Sequence, residues 1–148
     1  MSQFNEQVQP KGTLKIEVFD KDGQLKDSRE IKNLVVSTGK DFVASRMVGT
    51  AKNPMSHMAI GSGTAAPVIG NTTLAAELGR VAITSATLAA NSVTYSALFN
   101  EGVGTGSITE AGIFNGATAG DMLSRTVFGV VTKTATDSMS ISWTVVVV

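Results

Sequence analysis

No cysteine occurs among the 148 residues. That excludes disulfides, thiolate catalysis and thiolate zinc sites together, and leaves the compartment open. Charge is also scarce, at 16% of residues, and balanced, with twelve basic and twelve acidic side chains. No run of Lys or Arg stands out, so strong attraction to nucleic acid or to an anionic membrane is not expected. Aromatics make up 5%. A sugar cleft needs stacking rings as well as two facing carboxyls, and Glu77, Glu101 and Glu110 are the carboxyls available for one in the second half. His57 is the only histidine. A Ser-His-Asp triad would have to use it, and no nucleophile-elbow motif accompanies it. A hydrogen bond in a loop or at a strand start is the simpler role. No stretch approaches the length of a membrane helix, and the polar start MSQFNEQVQPKG has no apolar signal core. No enzyme activity, cofactor or metal is expected.

The chain has alternation instead. TLKIEVF (residues 13–19) puts Leu14, Ile16 and Val18 on one face, as a half-buried strand does. DKDG (residues 20–23) is a tight turn, and a returning strand is expected over about Gln24 to Ile31. Asp20 and Asp22 lack the further oxygen ligands and the later Glu of a calcium loop. Asn33 to Val36 reads as a short strand. Thr38, with Asp41 three residues on, starts a helix whose apolar face is Phe42, Val43, Met47 and Val48 and which ends at Gly49. Gly61 and Gly63 are half of a nucleotide-binding glycine loop. The third glycine and the Walker lysine are missing, so a strand ending in a glycine turn is expected. NTTLAAELG (residues 71–79) has the capping pattern of a second short helix.

From Arg80 onward, strand-like runs are separated by turn signals: VAITSATL, SVTYSALF, ITEAGIF, MLSRTVFGVV and MSISWTVVVV. That spacing predicts a sandwich or a closed, barrel-like sheet. The fold class is mainly β, an antiparallel β-sandwich of jelly-roll type with one or two short helices. Residues 1–11 form an arm, either unstructured or docked on a partner. Residues 12–148 form one domain, within which 12–32 could be a separate hairpin. In the last strand Ile141, Trp143, Val145 and Val147 share an apolar face, and Val146 and Val148 make the other face apolar at its end. Either internal cover or a subunit interface would bury them.

Several segments in order resemble a family of tailed-phage virion proteins: NLVVSTGKDFVASRMVG, HMAIGSGTAAP, NTTLAAELGR, SVTYSALF, ITEAGIFN, MLSRTVF and DSMSISWTV. They span Asn33 to Val148. The resemblance implies a β-sandwich subunit that assembles symmetrically on the particle, made in the bacterial cytoplasm and ending in the virion. A capsid decoration (cement) protein is the leading expectation. It would be a homo-oligomer, a trimer first, bound to the major capsid protein. The alternative is a tail-fibre or baseplate component. A polysaccharide depolymerase using Glu101 or Glu110 is the third class. Capsid contact is assigned to the arm, through Ser2, Gln3, Phe4, Val8, Pro10 and Lys11, and the subunit interface to Val146 and Val148. Glu110, in ITEAGIFN, is expected to form a structural ion pair with Arg80 or Arg125, each beside a predicted strand. Gly112, two residues on, would permit a bulge or a close backbone approach.

Overall fold

The computed structural model describes residues 10–48 and 52–147. Ser2, Gln3, Phe4, Val8, Gly49 and Val148 lie outside them. The described chain is mainly β. It forms β1 (Pro10–Phe19), β2 (Leu25–Val35), α1 (Ser37–Ser45), β3 (His57–Gly61), β4 (Glu77–Ala82), β5 (Ser85–Ala89), β6 (Ser92–Phe99), β7 (Gly106–Phe114), β8 (Met122–Lys133) and β9 (Ser138–Val147). The nine strands make one curled antiparallel sheet in the order β4-β3-β7-β8-β2-β1-β9-β6-β5.

The alternation of TLKIEVF does what its period requires. Leu14, Ile16 and Val18 are buried, while Thr13 and Lys15 are not. Asp20 makes the turn that follows. Its Oδ1 accepts from the N–H of Asp22 and of Gln24, both at 2.9 Å, so the carboxylate serves the turn. Gly23 supplies the left-handed residue at φ 79°. β2 runs unbroken through Val35, so the expected second strand and the short strand after it are one element. The hairpin lies mid-sheet, with β1 paired to β9 along ten residues. Pro10 and Lys11 are strand residues opposite Val147 and Val146, not part of an arm.

α1 begins earlier than the capping pattern suggested. Val36 is the N-cap, and the Thr38 hydroxyl donates instead to the Met122 carbonyl at 2.7 Å. Phe42 is buried, whereas Met47 and Val48 are exposed beyond the helix end. Gly39 lets α1 press onto β8, since a Cβ there would collide with the Leu123 backbone.

The core lies inside the curl. Leu14, Ile16 and Val18 of β1, Phe99 of β6 and Ile141 and Trp143 of β9 join Met58 and Ile60 of β3 and Ile108 and Ile113 of β7 in one cluster. β9 lies between β1 and β6, so its valines do not form a sheet edge. Val146 is half-buried within the sheet, against Lys11 and Ser92. β7 is different, because from Ile108 to Phe114 every residue is buried. One face of it meets the core. The other is covered by the chain between β3 and β4, and that cover forms the site described next.

Candidate functional site

The expected helix over residues 71–79 does not form. Residues 62–76 instead run as an irregular strap across β7, and β4 starts at Glu77. The reason is Glu110, 35 residues away from Ala75 along the chain. Its Oε1 accepts from the backbone N–H of Ala76 at 2.7 Å and of Gly63 at 3.1 Å. Its Oε2 accepts from the N–H of Ala75 at 3.0 Å and from Arg125 Nε at 3.0 Å. In a helix over 71–79 the N–H groups of Ala75 and Ala76 would bond the carbonyls of Asn71 and Thr72; here both go to the carboxylate instead. A charged acceptor binds them more strongly than a neutral carbonyl does.

Both ends of the strap meet at this carboxylate. Ser62 N–H donates to the Ala76 carbonyl at 2.9 Å, and the Thr109 hydroxyl donates to the Gly63 carbonyl at 2.8 Å. Gly61 and Gly63 are needed for the close approach. A Cβ on Gly63 would lie 2.6 Å from Glu110 Oε1, and one on Gly61 would meet the Ala76 carbonyl. The GSG stretch is therefore a cradle for a carboxylate rather than for a phosphate. Further along, Leu74 packs onto Gly112, where a Cβ would sit 3.0 Å from the leucine Cδ2. Leu74, Ala59, Phe114, Met122 and Val36 make a small second core under the strap.

Arg125 pairs with Glu110; Arg80 does not. Arg125 Nη2 is 2.9 Å from Glu110 Oε2. Its N–H bonds do not point at that oxygen, so the hydrogen bond is carried by Nε. Nη1 donates to Asn71 Oδ1 at 3.1 Å, and the same oxygen accepts from Val68 N–H. The pair thus reaches through Asn71 to the apex turn of the strap. Arg80 lies across Phe114, 3.8 Å from the ring centroid. It binds Glu77 at 2.7 Å and the Gly116 and Ala119 carbonyls.

Glu110 is fully buried and Arg125 is 1% exposed. Burial pushes the Glu110 carboxyl up. The N–H groups of Ala76 and Ala75, the Arg125 side chain and Gly63 more than offset this and hold it below the usual glutamate value. With four donors placed, the carboxylate keeps a charge that no solvent or substrate reaches. It can order backbone; it is not positioned to attack, protonate or bind a ligand.

The other acids stand apart from it. Glu77 is taken by Arg80, and Glu101 lies exposed in the turn before β7. His57 opens β3, with its Nδ1 2.8 Å from the Ser56 hydroxyl. Among the described residues no group of three His, Asp or Glu could hold a metal. Nor is any helix among them long and apolar enough to cross a membrane.

Two further ionic devices were not foreseen from sequence. Asp137 is buried, binds Lys26 at 2.7 Å and accepts from Thr134 N–H, and its carboxyl is held low first by the Lys26 bond. Lys133 is fully buried with its ammonium on the Asn100 carbonyl at 2.9 Å, and burial lowers its pKa. TKTATDS gives no sign of either, because each partner lies in a distant turn or strand. No family model, curated protein or solved structure matches the chain.

Proposed function

We propose that the chain is a structural protein of a tailed-phage particle, and specifically a capsid decoration protein. It binds the outer capsid lattice as an oligomer, contacts the major capsid protein and resides in the virion. The observation that carries this reading is the complete commitment of Glu110. The most deeply placed carboxylate among the described residues fastens a surface strap and has nothing left for chemistry. The strap, Ser62 to Ala76, contains no charged residue and exposes Val68 and Ile69 at its apex. A rigidly held apolar apex suits contact with another protein.

The resemblance to phage virion proteins supplies the particle. In this reading the two arms of the curled sheet act as the layers of a jelly-roll-like sandwich. Binding only the assembled shell stabilises that state by mass action, and several subunits acting together add avidity. The polar residues ahead of β1 are the capsid-contacting segment. Quantifying the protein on purified virions, with an electron-microscopy reconstruction, tests this. Copies spread over the head lattice support decoration. A small number at the tail would move the protein to the fibre or baseplate alternative, and absence from the particle would end both.

A further inference from the structure

Two strands end the sheet, and they are built differently. β4 carries Glu77 and Arg80, which bind each other at 2.7 Å. Charges of this kind keep an open edge from pairing with another chain. β5 carries none. From Val81 to Asn100 no residue is charged and none is proline. All five residues of β5 are exposed, Leu88 by 75%, and among the described residues its only strand neighbour is β6. Among the described residues, β5 is thus the sheet edge that carries no charge and no cover.

The bare edge is complementary to itself. Ala89 and Ser92 flank the two-residue connection Ala90–Asn91, so they form the hydrogen-bonded pair that closes the hairpin. Alternation then turns the N–H and C=O groups of Ala86 and Leu88 away from β6, unpaired. We propose that β5 pairs antiparallel with β5 of a second copy, about a two-fold axis at Thr87. That register sets Leu88 opposite the small Ala86 of the second copy and meets all four outward main-chain groups on each side. Ala86 and Leu88 share the face of Tyr95 and Val93, which continues to Trp143 and Val145 of β9. The axis joins two such apolar faces into one, with no like charges brought together. The contact is two-fold, in place of the trimer expected of a decoration protein. It holds or fails independently of the decoration role.

Light scattering on the purified full chain should give twice the 15.3 kDa chain mass. Thr87→Lys sets two ammonium groups against each other at the axis. It should return the mass to 15.3 kDa while the far-UV circular dichroism stays that of the folded wild type. Because the chain lacks cysteine, Thr87→Cys introduces a lone thiol. Facing Cα atoms in such a pair lie about 4.5 Å apart, within disulfide reach. Mild oxidation should cross-link Thr87→Cys into a covalent dimer and leave Leu78→Cys, on the β4 edge, uncross-linked. A monomeric wild type, an oligomer that survives Thr87→Lys, or a Thr87→Cys chain that does not cross-link overturns the proposal.

Discussion

Glu110 and Arg125 show how much a buried pair depends on its neighbours. Removing one partner leaves the other charged and dry, which costs about 3–5 kcal/mol. Glu110→Ala should therefore lose that much stability in urea unfolding, and Arg125→Met a similar amount. The double variant should lose clearly less than the sum, because the two side chains act through one network. Additive losses would show that the pair is not a unit. The pH dependence has a fixed sign. The folded pKa of Glu110 lies below its ordinary 4.5 and that of Asp137 below its ordinary 3.8. The unfolded chain binds more protons in this range, so the stability from both groups is present above those values. It is lost as pH falls from about 4.5 through the folded pKa values. Thermal melts between neutral pH and the acid limb should show Glu110→Gln with a shallower acid decline than wild type. An equal decline would place the linkage elsewhere.

At the level of elements, the strap rather than any strand is the most specialised part. Gly63→Ala should push the Glu110 carboxylate out of its cradle. Overpacking of this kind costs about 1–3 kcal/mol. Amide exchange should speed up at Ala75 and Ala76 while β1 and β9 keep their protection. Unchanged exchange at those two amides would mean the cradle tolerates a methyl group. The strap also shows where sequence stops being informative. The first hairpin was legible because Asp-Gly and the alternation of TLKIEVF are local signals. The inward face of β6 was legible for the same reason, since Tyr95, Ala97 and Phe99 are buried. NTTLAAELG carries an equally local helix signal, and it lost to a carboxylate placed there by β7. Glu110 could be marked as structural from its setting in ITEAGIFN, but its choice of partner could not. Arg80 and Arg125 both fall in the strand row of Gly112, one reached through Ala59 of β3 and the other directly on β8. Strand order and the ring of Phe114 separate the two arginines, since β8 adjoins β7 and β4 lies beyond β3, and neither is written in the spacing of the chain.

For the molecule as a whole, β2 and the core decide how it unfolds. The first part of β2 pairs with β1 alone, and its end, Leu34 and Val35, pairs with β8, so one strand ties the two arms of the sheet together. The core crosses the same divide, with β1, β6 and β9 side chains packed against those of β3, β7 and β8. Neither arm keeps the main core buried without the other, since each would expose the apolar surface that now drives its folding. Unfolding should therefore be a single transition. Trp143 of β9 is fully buried in the core that joins the arms, and its fluorescence reports on that core. Far-UV circular dichroism reports on both arms. Their urea midpoints should coincide in the wild-type chain, and in Glu110→Ala both should shift down together, although Glu110 lies in the other arm. A Trp143 transition that stays in place while the dichroism shifts would show two units that melt separately.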